Sequence, residues 1–141
     1  MSLTHVPAEL RRLVRERADG WCEYCRIQEG GAFALHEIDH GVAEKHGGET
    51  TPENLALCCT LCNRRKGSDL SSIDPHTGEV TLLLHPRKHR WSDHFRFDGA
   101  RLEPLTPTGR ATARLLGFNA EVRLAERAAQ AGASKQKPQD T

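Results

Sequence analysis

Two cysteine pairs constrain this chain more than any other sequence feature. Cys22 and Cys25 form one Cys-x-x-Cys sequence, and Cys59 and Cys62 form a second. Each pair can place two thiolates in one tight turn, and four thiolates complete the tetrahedral shell that structural Zn²⁺ prefers. The spacing therefore predicts one zinc ion held by both pairs. The interval between them, residues 26–58, is long enough to contain a functional insertion.

Two other cysteine chemistries compete with zinc. A disulfide framework needs an oxidising compartment, and residues 1–7 do not resemble an apolar signal segment. A thioredoxin-like redox centre needs one Cys-x-x-Cys near a βαβ pattern, whereas this chain has two matched pairs and little sign of that pattern. The sequence favours both alternatives less than zinc. The fifth cysteine, Cys58, follows an apolar run and is predicted to be a small buried residue and not a ligand.

The residues between and beside the cysteine pairs are typical of strand, loop, strand and helix. Residues 32–38 alternate as a strand does, and residues 55–58 form an apolar run that can pair with them. Residues 41–52 are polar and rich in glycine, which is typical of a loop. A helix over residues 60–66 is expected because Gly67 stops it.

Local patterns beyond residue 70 predict further strands and helices. Residues 80–84 are expected to form a strand, and the Asp-Gly sequence at 98–99 is expected to turn a hairpin. The Thr-Pro sequence at 106–107 opens a helix that Gly117 ends, and Asn119 is expected to cap a last helix.

The chain divides into four segments on this basis. Residues 1–20 hold an N-terminal helix, which is predicted at 7–18 from its proline start and helical apolar spacing. Residues 21–70 hold the zinc-tied core, and residues 71–132 hold the C-terminal hairpin and helices packed on it. Residues 133–141 are polar and expected to be disordered.

The interval between the cysteine pairs also contains residues suited to phosphodiester hydrolysis. That reaction needs an activated water, neutralisation of the phosphate charge and stabilisation of the leaving oxygen, and a divalent cation can supply the last two. His40 can supply a neutral imidazole as the base. Asp39 and Asn63 offer the oxygen ligands that Mg²⁺ prefers. The pattern therefore predicts one base and two metal ligands.

These residues resemble the HNH endonuclease motif in its zinc-bearing, McrA-like branch. The resemblance covers about residues 21–67 and is carried by Ile38-Asp39-His40, Gly47-Gly48, Asn54-Leu55 and Cys59-x-x-Cys62-Asn63-x-x-Lys66. It implies an α+β fold with a ββα-metal core, also called a His-Me finger. A four-cysteine zinc site would staple that core, and helices would flank it.

The resemblance also implies a role for each motif residue. His40 would be the general base, and Asp39 and Asn63 would hold a catalytic Mg²⁺ or Mn²⁺. Asn54 would orient the hairpin loop. Asn63 stands where the family often has histidine, and its amide keeps an oxygen ligand that Mg²⁺ accepts.

Basic residues indicate how a nucleic acid could bind. The formal net charge is only +1, but basic residues cluster at 11–17, 64–66 and 87–90, which favours polyanion binding beside a phosphate-cutting centre. Arg64, Arg65 and Lys66 directly follow a metal ligand and are expected to reach DNA phosphates. On an extended strand His36 would lie roughly 13 Å from His40, so the two cannot contact one ion unless the strand bends. We therefore expect His36 to support a site residue or to contact phosphate, with a structural role as an equally open alternative.

The sequence thus predicts a metal-dependent endonuclease that hydrolyses DNA. The main alternative is a catalytically inactive zinc-knuckle module that binds nucleic acid, which would not need Asp39, His40 and Asn63 in register. A third interpretation is an interaction domain whose zinc only stabilises the fold. The chain has no apolar run long enough to span a membrane, and the expected location is the cytoplasm.

Overall fold

The computed structural model describes residues 5–30 and 35–133 of the chain. Residues 32–34 of the first predicted strand lie outside this range. Residues 134–141, where the sequence predicts disorder, lie outside it as well. Everything below concerns the described residues.

An antiparallel strand pair followed by a helix forms the centre of the fold. Strand β1 (Glu37–His40) pairs with β2 (Leu55–Cys58), and helix α2 (Thr60–Lys66) follows directly. His40 is still paired, opposite Leu55, so β1 ends two residues later than predicted. The helix has the predicted bounds. This ββα arrangement confirms the α+β class expected from the sequence.

The N-terminal helix packs on the second strand of this pair. Helix α1 spans Ala8–Ala18, starting one residue later than predicted, and ends where Asp19 and Gly20 adopt positive φ angles of 53° and 78°. Val14 is fully buried and packs with the leucines of β2. The apolar spacing recognised in the sequence therefore marks the face that covers the strand pair.

Two short hairpins follow the central unit. Strand β3 (Ser71–Ile73) pairs with β4 (Val80–Leu82), and β5 (Phe95–Asp98) pairs with β6 (Arg101–Pro104). The hairpin was predicted, but its turn lies at Gly99 and Ala100, because Asp98 still pairs with Arg101. Strand β3 was not predicted, and β4 is shorter than the predicted 80–84. A single-turn helix, α3 (Trp91–His94), precedes β5.

Two helices complete the described chain. Helix α4 (Pro107–Leu116) begins at Thr106, whose hydroxyl accepts a hydrogen bond from the Gly109 N–H at 3.0 Å. Helix α5 spans Glu121–Ala133. The prediction that Asn119 caps this helix was wrong. Its amide instead bonds the backbone N–H and C=O of Leu102 on β6, at 2.8 and 2.9 Å.

One hydrophobic core joins the cysteine pairs to the C-terminal segment. Trp91 and Phe118 each stack against Phe95, with ring centroids 5.2 Å apart in both cases. The indole N–H of Trp91 donates to the Tyr24 carbonyl at 2.9 Å. The first cysteine pair therefore rests on aromatic residues from the C-terminal half. Within residues 5–30 and 35–133, no helix is both long and apolar enough to cross a bilayer.

Candidate active site and metal centre

The four paired cysteines converge on one buried point, as the spacing predicted. Their sulfur atoms all lie within 4.8 Å of one another, and those of Cys25 and Cys59 are 3.7 Å apart. Since Zn–S bonds are about 2.3 Å long, the sulfurs of a tetrahedral site should be about 3.8 Å apart. The geometry therefore fits zinc. All five cysteines are free thiols, which disagrees with a disulfide framework.

The two cysteine turns are shaped in the same way. The N–H of Cys25 points at the sulfur of Cys22, and the N–H of Cys62 points at the sulfur of Cys59, each at 3.4 Å. These bonds favour the thiolate form that metal binding requires. Cys58 is fully buried and lies outside the group of four, as expected.

A cavity of about 1140 Å³ opens beside β1 and α2. Asp39 and His40 reach it from the end of β1, and Asn63 reaches it from the first turn of α2. Helix α2 follows β2 directly and contacts β1, so residues 39 and 63 line the same cavity. The structure therefore brings together the predicted base and both predicted metal ligands.

The ring of His40 is held in place by a hydroxyl group. His40 is buried, and its Nε2 shares a hydrogen bond of 2.9 Å with Oγ1 of Thr50. Thr50 lies in the loop between the strands, and sequence reasoning did not identify it. Because the bond fixes the orientation of the imidazole, it also determines where Nδ1 lies.

Asp39 is oriented by two buried donors. Its Oδ2 accepts a hydrogen bond of 2.8 Å from the Tyr24 hydroxyl and lies 3.2 Å from the ammonium of Lys66. Burial raises the pKa of Asp39, although the charge of Lys66 and the Tyr24 bond oppose this effect. Burial and the nearby carboxylate also raise the pKa of Tyr24, which keeps its hydroxyl protonated as a donor.

Lys66 occupies a different place from the one expected. It is only 2% exposed, and its ammonium lies 3.2 Å from both the Asp39 carboxylate and the His40 carbonyl. The ammonium therefore holds the Asp39 carboxylate from the protein interior and does not project toward solvent. Arg64 and Arg65 are exposed on the same helix. In the described chain, the arginines and lysine that line the cavity are Arg11, Arg15 and Lys45.

Glu37 adds a second carboxylate to the cavity. Its Oε1 accepts a 2.5 Å hydrogen bond from Nδ2 of Asn63, which fixes the orientation of that amide. Glu37 and Asp39 are two residues apart on β1, so both side chains lie on the same face of the strand. This alternation was visible in the sequence, although Glu37 was not identified. Three hard oxygen donors line the cavity, and this donor set fits Mg²⁺ or Mn²⁺.

Asn54 fastens the loop that links the two strands. Its Oδ1 accepts from the Val42 N–H at 2.8 Å, and its Nδ2 donates to the carbonyls of Val42 and Glu49, both at 2.9 Å. These bonds support the role of orienting the loop that the resemblance implied for Asn54.

His85, to which the sequence assigned no chemistry, packs against this loop. Its Nε2 lies 3.2 Å from Oδ1 of Asn54, and its Nδ1 accepts from the Arg87 N–H at 3.2 Å. The ring also packs against Gly41, where an added Cβ would lie only 2.4 Å from it. Burial, with Lys88 and His89 nearby, lowers the pKa of His85 to about 4. His85 is therefore neutral at pH 7, and its Nε2–H donates to Asn54.

His36 lies in the wall of the same cavity. It is 7% exposed, and its Nε2 is 2.8 Å from the carbonyl oxygen of Ile27. Its backbone N–H donates to Glu29 at 2.6 Å. Both contacts join the start of β1 to the first cysteine turn, and they favour the structural alternative left open by the sequence.

The segment that holds the zinc centre and the cavity matches one known family. Residues 22–69 match the family model for HNH endonuclease. No curated protein and no solved structure was found to match the chain. The matched segment contains β1, β2 and α2, and its cysteine cluster is consistent with the zinc-bearing branch of the family. By this match, residues 22–69 of the chain are similar to HNH endonuclease domains.

Proposed function

We propose that the chain is a metal-dependent endonuclease that hydrolyses DNA phosphodiester bonds. One observation carries this proposal: Asp39, His40 and Asn63 line a single cavity within the segment that matches the HNH family. Hydrolysis needs a base beside ligands for a hard cation. Nucleic-acid binding alone gives no reason for that combination.

His40 is the general base in this proposal. Since Nε2 is bonded to Thr50, Nδ1 accepts the proton of the attacking water. The water oxygen forms a bond to phosphorus as the bond from phosphorus to the leaving oxygen breaks. Thr50 supports this step by holding the ring in one orientation.

Asp39, Asn63 and Glu37 are the proposed ligands of the catalytic Mg²⁺ or Mn²⁺. A cation bound there would neutralise charge on the phosphate and stabilise the leaving oxygen. Tyr24 and Lys66 hold Oδ2 of Asp39 from the interior. They fix the carboxylate in the cavity wall, so little reorganisation accompanies cation binding.

Exposed basic side chains on two sides of the site are the proposed DNA contacts. Arg64 and Arg65 project from α2, and Arg11 and Lys45 lie at the cavity. Phosphate contacts of this kind position a nucleic acid without reading its sequence. Lys66 is not among the proposed DNA contacts, because it is buried against Asp39.

The inactive zinc-knuckle module remains a second candidate because of Lys66. Its ammonium already lies 3.2 Å from the carboxylate that would hold the cation. A site in which Lys66 permanently neutralises Asp39 would bind nucleic acid through its basic surface and would need no divalent cation. Metal dependence of cleavage separates the two candidates.

Plasmid nicking with and without added Mg²⁺ tests the proposal. We expect nicking that needs Mg²⁺ or Mn²⁺ and that falls by about 10² to 10⁴ in His40→Ala, since loss of a general base typically costs that much. His76→Ala, at an exposed histidine in the turn between β3 and β4, is the matched control. Zinc content is measured throughout, so that damage to the cysteine site is recognised. Equal nicking by His40→Ala and the parent would refute the proposal.

A further inference from the structure

A zinc ion with four thiolates leaves a net charge of −2 in the core. The four sulfurs are buried, and buried charge is costly unless cations or hydrogen bonds compensate it. The two cysteine turns supply backbone N–H groups to this charge. The buried Arg26 adds positive charge near Cys22 and Cys25, but its guanidinium lies over the Trp91 ring and forms no hydrogen bond to a sulfur. The arginine that hydrogen-bonds the sulfurs lies outside the matched segment, on helix α5.

Arg123 of α5 lies directly against the sulfur atoms. It is 1% exposed, and its Nη2 is 2.5 Å from the sulfur of Cys25, 3.1 Å from that of Cys59 and 4.0 Å from that of Cys62. These three sulfurs form one face of the expected tetrahedron. The guanidinium therefore covers that face. Its ion pair with Glu126 is longer, at 3.4 Å, and involves a carboxylate that is 52% exposed.

A second buried arginine hydrogen-bonds helix α5 to the backbone of the first cysteine turn. Arg127, one turn further along α5, donates from Nε to the carbonyl of Cys25 at 3.1 Å. It also donates to the carbonyls of Ala100 and Phe118, at 2.9 and 2.7 Å. Helix α5 thus reaches both the ligand sulfurs and the backbone of the first cysteine turn through adjacent side chains on one face.

We propose that Arg123 is the charge partner of the zinc centre and that zinc binding and the docking of α5 are thermodynamically linked. Without zinc, the buried guanidinium loses the negative charge that compensates its burial. With α5 undocked, the thiolates lose their cationic hydrogen-bond donor and become more accessible to solvent and to competing ligands. Each event therefore stabilises the other, and the coupling is reciprocal.

The rate of zinc transfer to a chromogenic chelator tests this link. Arg123→Met removes the charge and the donor while keeping a long apolar side chain. A coupling of this kind lowers the affinity for zinc about 5- to 150-fold. Since the substitution does not block the entry of zinc, we expect this loss to appear as faster release than in the parent. Arg114→Met, at an exposed arginine on α4, should release zinc at the parent rate.

Hydrogen exchange provides the second readout. In zinc-loaded Arg123→Met, we expect amides of α5 to exchange faster while those of α1 keep the protection of the parent. Release at the parent rate with unchanged α5 protection would overturn the proposal. If Arg123→Met does not fold, Arg123→Gln decides in its place: faster release supports the charge role, and parent-rate release refutes it. Neither readout involves DNA cleavage, so both are independent of the proposed nuclease activity.

Discussion

Lys66 shows how one side chain can decide what the proposed active site does. Its ammonium compensates the charge of Asp39 at 3.2 Å, and both groups are buried. A divalent cation on Asp39 would supply similar compensation. Lys66 is therefore both a support of the site and a competitor for its carboxylate, and its removal should reveal which cation Asp39 can accept.

Lys66→Met is expected to lower stability and to make it depend on Mg²⁺. Leaving a buried charge without its partner typically costs about 3 to 5 kcal/mol, and a cation that binds only the folded state recovers part of that loss. Thermal unfolding with and without Mg²⁺ measures both effects. Arg64→Met, at an exposed position on the same helix, should show neither. A Lys66→Met protein that melts at the parent temperature would contradict the buried pair.

His85 should make folding sensitive to mild acid. Its pKa is lowered to about 4 in the folded protein, whereas an unfolded histidine titrates near 6.5. Between these values the unfolded chain binds the extra proton, so stability falls as the pH drops from about 6.5 toward 4 and is unaffected above that window. We expect His85→Gln to lose less stability than the parent between pH 6.5 and 5, in parallel melting curves. Identical losses would show that His85 is not held neutral.

Individual residues of the site could be predicted where they belong to a motif of short, fixed spacing along the chain. Asp39, His40 and Asn63 were predicted to share a site because a metal-and-base motif has fixed local spacing, and the three residues do line one cavity. Thr50 was not found, since a threonine in a polar loop has no distinguishing neighbours. Arg123 was not found because it meets its cysteine partners only through tertiary packing, which no local pattern encodes.

The loop between β1 and β2 positions His40, the proposed base. Asn54 closes it, and Gly48 lies so near the chain that an added Cβ would be 1.7 Å from the Val42 carbonyl oxygen. Because the obstacle is backbone, the loop itself must move to admit a side chain. Thr50, which holds His40, would move with it.

Gly48→Ala is therefore expected to reduce cleavage while leaving the zinc site intact. A displacement of about 1 Å can cost about 10²-fold in rate, and we expect a loss of that order with zinc content unchanged. Gly30→Ala is the control, since a Cβ there would meet its nearest neighbour at an ordinary 3.5 Å. Full activity in Gly48→Ala would show that the loop geometry does not position the base.

The elements were predicted well where local signals determine them and poorly where packing does. Helix α2 and the β5–β6 hairpin follow from glycine and Asp-Gly signals. Strand β3 has only three residues and no clear alternation. The turn between β3 and β4 is held by Arg110 of α4, a residue distant in the chain, which donates two hydrogen bonds of 2.9 Å to the Asp74 carboxylate. Asn119 does not cap α5 because its side-chain amide bonds both the N–H and the carbonyl of Leu102 on β6.

At the scale of the whole molecule, the cysteine centre joins parts that are distant in the chain. The four ligands belong to the same core as Trp91, Phe95 and Phe118, and α5 reaches the sulfurs through Arg123. The sequence predicted the ligands and a C-terminal segment packed on the core, but it did not predict that a side chain of that segment would reach the sulfurs. Enclosure matters because a chain with 37% hydrophobic residues has a limited apolar core of its own.

Loss of one zinc ligand should therefore unfold the molecule as a whole. Structural zinc contributes roughly 10 kcal/mol or more to the folding of finger peptides, which rivals the entire stability of a small domain, about 5 to 15 kcal/mol. We expect Cys59→Ser to lose zinc and its cooperative melting transition. The neighbouring Cys58→Ser provides a sharp control, because Cys58 is also buried but lies outside the ligand group. Elemental analysis and thermal unfolding distinguish them: Cys58→Ser should retain one zinc per chain and a cooperative transition, and equal zinc loss in both variants would refute the assignment of the four ligands.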